Sequence, residues 1–263
     1  LHSLFEAKGY LLSDLIHKTK GIVLKTVKYG ETSVIVSVYT ELFGLQSYLI
    51  NGVRTSGKKG AGKMSFFQSA AILEMEVYHN ELKQINRVKE FRFAYLYQDI
   101  FYSVIKNGVA LYMVELLTKC LSQPEVNFGL YAFVEDCLME LDTCTGKEMA
   151  NFPIFFAVHL SNFFGFLPAG ISEDLLKSNQ VLFDVQEGIF TDTPIAHGCW
   201  LDTKPALVLA EIALVRQPGE LTEISTNAEI RRGILEVLEL YYSFHISGFG
   251  KMKTLPVLKA IMS

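Results

Sequence analysis

Ser33-Val34-Ile35-Val36-Ser37-Val38-Tyr39-Thr40 alternates with a period of two, placing Val34, Val36 and Val38 on one face and Ser33, Ile35, Ser37 and Tyr39 on the other. Extended backbone sends successive side chains to opposite sides, so this stretch reads as a half-buried β-strand. Upstream, Gly21 to Val27 is an apolar, β-branched run that ends at Tyr29-Gly30. Downstream, Phe43-Gly44 turns the chain, and Leu45 to Val53 reads as a third strand. After a glycine- and lysine-rich segment, Ser56 to Lys63, the residues Leu73, Met75 and Val77 alternate with Glu74 and Glu76. Leu82 to Phe93 is the last candidate strand. Five short strands without an obvious helix fit a small closed barrel of the OB type, and an SH3-like barrel fits the pattern nearly as well.

The periodicity changes after Tyr95. Ile100 to Leu121 carries Ile105, Val109, Tyr112, Leu116 and Leu117 on one helical stripe. Phe128 to Leu141 and Phe152 to Phe166 read as further helices, the latter with an expected cap at Asn151 and Pro153 in its first turn. Leu182 to Thr191 is a short β-like insert. Ala206 to Val215 and Ile230 to Ile246 close the chain as helices, the second capped by Asn227. The expected class is α+β: an OB barrel over 17–93, then a mostly helical domain over 94–263 with a β-like insert near 180–200. Residues 1–16 lack the features of a signal peptide and read as an extension or an expression remnant.

Charge divides along the same line. Residues 17–93 hold 12 Lys or Arg against 6 Asp or Glu, whereas 94–263 hold 11 against 20. A basic β-module beside an acidic helical body suggests that one half meets phosphates and the other serves as a platform. The expected DNA-binding residues are Lys25, Lys28, Tyr29, Arg54, Lys58, Lys59, Lys63, Arg87, Lys89 and Arg92, gathered on one barrel face. Tyr48, Phe66 and Phe67 are further candidates for stacking on bases, although for any single ring a core role is the more common one. The four cysteines, Cys120, Cys137, Cys144 and Cys199, form no C-x-x-C pair and read as reduced thiols in a cytoplasmic protein. The apolar stretch Ile154 to Leu167 is too short and too polar to span a bilayer, so no membrane contact is expected.

Gly57-Lys58-Lys59-Gly60-Ala61-Gly62-Lys63-Met64 follows the phosphate-loop pattern of NTPases until its last position. There Met64 replaces the hydroxyl that would hold Mg²⁺, and no helix is expected to follow, so a cationic loop is the better reading. The six histidines are scattered, and no nucleophile elbow or acid pair converges. No catalytic residue is assigned, and an enzyme is not expected.

Lys20-Gly21-Ile22-Val23-Leu24, Tyr29-Gly30-Glu31-Thr32-Ser33 and Thr40-Glu41-Leu42-Phe43-Gly44 resemble the bacterial RecO family of DNA repair proteins. Gly52-Val53-Arg54, the run Tyr241-Tyr242-Ser243-Phe244-His245-Ile246 and Leu255-Pro256-Val257-Leu258 extend the resemblance. It implies an N-terminal OB barrel and a helical C-terminal domain. It also implies binding of single- and double-stranded DNA, annealing of complementary strands, contact with the C-terminal tail of SSB, and work with RecR (RecF only indirectly) to load RecA. Arg231 and Arg232, or alternatively Lys251 and Lys253, are the candidate partner-binding residues. Many family members carry a four-cysteine zinc site near the region 164–199. Here Cys199 is the lone thiol in that stretch, so no metal or other cofactor is expected, and Phe183, Phe190 and Trp200 are expected to hold the insert by packing.

Overall fold

The computed structural model describes residues 16–53, 62–178 and 180–262. The expected extension is therefore outside the described residues up to position 15, as are Arg54, Lys58 and Lys59. The first compact unit holds the barrel, through Leu96, together with residues 121–136. The second holds residues 97–120 and the rest of the chain from Cys137.

The barrel strands are β1 (Ile16–Tyr29), β2 (Ser33–Thr40), β3 (Gly44–Ile50), β4 (Ile72–Tyr78) and β5 (Asn86–Phe93), closed in the order β1-β2-β3-β5-β4. β1 is long enough to serve both ends of the closure. Its first half pairs with β4 and its second half with β2, with a register shift between Val23 and Lys25. β3 and β5 supply the parallel pair. This is the OB arrangement, and it decides against the SH3-like alternative. Val34, Val36, Val38, Tyr48, Leu73, Met75 and Val77 fill the interior. The third strand ends at Ile50, earlier than the sequence suggested, and the fifth starts only at Asn86, because Asn80 to Ile85 form the turn that joins β4 to β5.

Tyr39 was expected on the outward face, and it is fully buried. Residues 121–136 cover it: its hydroxyl donates to the Asn127 carbonyl at 3.3 Å and its ring lies 6.0 Å from Tyr131. Burial pushes its hydroxyl pKa up to about 12. On the same side, Lys20 on β1 donates to both carboxylate oxygens of Glu135, at 3.0 and 3.1 Å. Gly44, at φ +61°, lies against the Glu125 backbone, where a β-carbon would come within 2.2 Å of the carbonyl oxygen.

The helices are α1 (Val104–Cys120), α2 (Phe128–Thr143), α3 (Gly146–Asn162), α4 (Glu173–Leu176), α5 (Thr203–Leu214), α6 (Ala228–His245) and α7 (Thr254–Ile261). Asn227 caps α6 as expected, its side chain accepting from the Ile230 N–H at 2.9 Å. α3 departs from expectation: it starts at Gly146, with Thr145 as N-cap, so Pro153 lies inside the helix and Asn151 is not a cap. Asn151 is buried and donates instead to the carbonyls of Leu221 and Ile224, fixing the 3-10 turn Pro218–Thr222 against α3. α1, α5 and α6 also pack against α3, whose Phe152 to Val158 run is buried throughout. Burial depresses the pKa of His159, the next residue of that helix.

The insert is a three-stranded sheet, β6 (Leu182–Asp184), β7 (Ile189–Thr191) and β8 (Trp200–Leu201), in the order β7-β6-β8. Phe183 and Phe190 are buried with centroids 4.8 Å apart, and Phe183 meets Tyr241 of α6 edge-on at 5.5 Å. Trp200 does not share in this packing. It is 40% exposed, and its indole N–H donates to Asp202.

Candidate nucleic-acid interface

The strand register builds one row of side chains across the barrel wall. Val27 pairs with Ile35, Ile35 with Leu49, Leu49 with Arg87, and Arg87 with Tyr78. Paired residues share a face of the sheet. Val34, Val36 and Tyr48, one position away, fill the interior, so this row stands outside. Lys25 and Tyr29 flank Val27 on the same face of β1, and the register sets Ser37 and Ser47 beside Lys25. Tyr29 is 54% exposed.

Around this row lies a groove of about 560 Å³, lined by Tyr29, Ile35, Leu49, Tyr78, Lys83 and Arg87 among others. Its chemistry is aromatic and aliphatic at the floor with cations at the margin. Rings with an open face stack on bases largely without regard to sequence, and Lys or Arg beside them meet the intervening phosphates. The serines next to Lys25 leave room for a backbone to approach the wall.

Of the expected DNA-binding residues, Lys25, Tyr29 and Arg87 are on or beside this row. Lys28 is exposed near the end of β1, opposite Val34. Lys63 is exposed ahead of the 3-10 turn Ser65–Phe67, whose last carbonyl accepts from Thr26 at 2.7 Å. Lys89 and Arg92 are elsewhere and already engaged. Lys89 is the extra residue of a bulge in β5 and donates to Glu76 at 3.0 Å, while Arg92 pairs with Glu74. Lys18 also approaches Glu76, at 3.5 Å. Each carboxylate of this group offsets a cation, and the Lys89 ammonium holds the Glu76 carboxyl below its ordinary pKa. Among the described residues, the expected DNA-binding cations thus separate into Lys25, Lys28, Lys63 and Arg87, with no carboxylate within salt-bridge distance, and Lys89 and Arg92, paired with Glu76 and Glu74.

Three candidate stacking rings have other roles. Tyr48 is buried, which drives its hydroxyl pKa well up. Phe67 is buried and meets Phe91 edge-on at 4.8 Å, and Phe66 stacks on Phe93 at 4.2 Å. The helical turn Ser65–Phe67 lets both rings reach β5, where an extended segment would have turned one away. Sequence reasoning missed Tyr78, Lys83, Ile35 and Leu49 as site residues. The alternation that sets Glu74 and Glu76 outward carries Tyr78 outward as well, so that signal was present.

The family model described as Recombination protein O N terminal matches residues 15–93, and that described as Recombination protein O C terminal matches residues 102–255. The chain belongs to the RecO family. A relative from Christiangramia forsetii, named DNA repair protein RecO, is 33% identical over 94% of this chain and 99% of its own length. One from Flavobacterium psychrophilum is 31% identical over 94% and 99%, and one from Phocaeicola vulgatus 30% over 95% and 100%.

In this RecO family chain the candidate partner residues lie near the C-terminus. Arg231 is half-buried and donates to the Thr226 carbonyl at 3.1 Å, and burial lowers its pKa. Arg232 is half-buried one position further along α6, while Lys251 and Lys253 are exposed before α7. Among the described residues no three His, Cys, Asp or Glu side chains gather as metal ligands, and no helix is long and apolar enough to cross a membrane.

Proposed function

We propose that the chain is a non-enzymatic DNA repair and recombination mediator of the cytoplasm, holding single- and double-stranded DNA and annealing complementary strands. With RecR it helps load RecA onto SSB-coated DNA, and RecF takes part only indirectly. The observation that supports this reading is the outer row of Val27, Ile35, Leu49, Arg87 and Tyr78, flanked by Lys25 and Tyr29. Such a surface neutralises phosphates and offers rings to bases, so two complementary strands can be held close without repelling each other. No bond need be made or broken. Phosphate contacts position a strand and do not read it, which suits a protein that anneals any sequence. Lys63, with Arg54, Lys58 and Lys59 earlier in the sequence, would extend the positive margin. The acidic tail of SSB would meet Arg231 and Arg232 or, alternatively, Lys251 and Lys253.

Annealing of SSB-coated complementary oligonucleotides tests the reading. The full chain should speed duplex formation, and Tyr29→Ala with Arg87→Glu should slow it by at least about tenfold, given the value of a stacked base and a phosphate contact. Nucleotide added to the reaction should release no phosphate. Strong DNA binding without annealing would reduce the chain to a generic nucleic-acid-binding module, and steady phosphate release would point to an NTPase.

A further inference from the structure

Beyond the β4–β5 turn, on the same unit, lies a second concavity of about 740 Å³. Phe43 and His79 stack at its wall with ring centroids 3.8 Å apart and planes 16° from parallel. His17 stands edge-on to Phe43 at 5.2 Å and to His79 at 6.3 Å. Leu45, Pro124 and Val126 complete the apolar lining. The Nδ1 atom of His79 is buried with no hydrogen-bond partner among the described residues.

Lys83 lines both this concavity and the groove of Tyr29 and Arg87. The turn that carries it is tightly built. Buried Asn86 accepts from the Asn80 N–H at 3.0 Å and donates to the Gln46 side-chain oxygen at 3.3 Å. The Asn80 side chain accepts from the Leu82 N–H at 2.9 Å, and its carbonyl accepts from the Lys83 N–H at 3.0 Å. Leu82 is thereby held out at the apex, 95% exposed.

We propose that single-stranded DNA leaving the groove crosses the turn at Lys83 and stacks a base against the Phe43–His79 ring pair, with Leu82 wedged beside the crossing. This rests on the groove itself being a single-strand site. Continuity through Lys83 selects a strand as the occupant. The wall offers stacked rings, which suit the flat face of a base. Glu81, beside the apex, is the acidic residue that the backbone must pass. Apolar wedges between base steps are an established way to unstack nucleic acid.

The test is affinity for oligothymidylates from about 6 to about 16 nucleotides, the range of site sizes for one OB fold. Phe43→Leu with His79→Leu should match the unsubstituted chain on the shortest strand and bind the longest roughly tenfold more weakly, as loss of one stacked base requires. Phe43→Tyr should keep the full gain with length. A steep gain with length in the double variant, or no rescue by Phe43→Tyr, overturns the subsite. Arg87→Glu separates the two readings: it should weaken strands of every length, and if it weakens none, the groove fails instead. Should the double variant not fold, 2-aminopurine placed stepwise along the longest strand answers the question in the unsubstituted chain. Quenching at a terminal position absent from the shortest strand supports the subsite, and its absence overturns it.

Discussion

At the scale of the residue, Gly21 shows how closely the barrel is packed. It pairs with Thr40 on one side and Leu73 on the other, at the point where β1 passes from β4 to β2. A β-carbon there would lie 2.5 Å from Val38 Cγ1 and 2.8 Å from Met75 Cε. Both neighbours belong to the filled interior, so neither has free space to enter. Gly21→Ala should therefore lower the unfolding free energy by about 1–3 kcal/mol, the usual effect of overpacking. Denaturant unfolding followed by barrel tyrosine fluorescence checks this, and an unchanged midpoint would show that the wall yields more than packed interiors do. Asp142 plays a comparable part in the second unit. Buried, it accepts the backbone N–H groups of Gln98, Asp99 and Ile100, and its own carbonyl accepts from buried Lys106 at 2.6 Å. Nothing in the local sequence announced that role, because the partners lie more than 35 residues away.

At the scale of the element, period-two alternation made β2 and β4 legible, and helical periodicity did the same for α1, α2 and α6. α7 was missed for a reason that lies in its cap. Its first turn is held by Glu115 of α1, whose carboxylate accepts the Lys253 and Thr254 N–H groups and the Thr254 hydroxyl at 2.6–3.0 Å. A cap supplied from a helix 139 residues earlier leaves no mark beside the element it stabilises. Burial opposes the Glu115 charge, but the hydrogen bonds outweigh it and hold its carboxyl below the usual range. A carboxyl depressed in the folded chain contributes stability above its unfolded pKa, and that contribution is lost as pH falls through the folded value. Glu115→Ala should cost about 1–3 kcal/mol at neutral pH, the worth of charged hydrogen bonds, and speed amide exchange in α7. Below roughly pH 4 the variant and the unsubstituted chain should converge in stability. A gap that persists in acid would mean that packing, and not charge, anchors the helix. The misplaced start of α3 has a similar origin, since Asn151 looks like a cap locally and is instead the donor to Leu221 and Ile224.

At the scale of the whole molecule, the sequence identified the basic half but could not divide its cations. Counting charge treats Lys89 and Arg92 as equal to Lys25 and Arg87, yet cross-strand carboxylates Glu76 and Glu74 engage the first two. Only the barrel register, with its bulge at Lys89, separates them. The same register assembles Tyr29, Tyr78 and Arg87 from three strands into one groove, a grouping that no linear motif records. Which cations meet phosphate therefore decides which barrel face holds DNA. Titration of single-stranded DNA across a range of salt is the most direct measurement. Lys25→Glu with Arg87→Glu should weaken binding by at least about tenfold and reduce the slope of log K against log salt by about 1.4, two contacts at about 0.7 each. Lys89→Glu with Arg92→Glu should leave the slope within about 0.3 of the original, less than half of one contact. The reverse pattern, with the slope carried by Lys89 and Arg92, would contradict the assignment of the groove as the DNA-binding face.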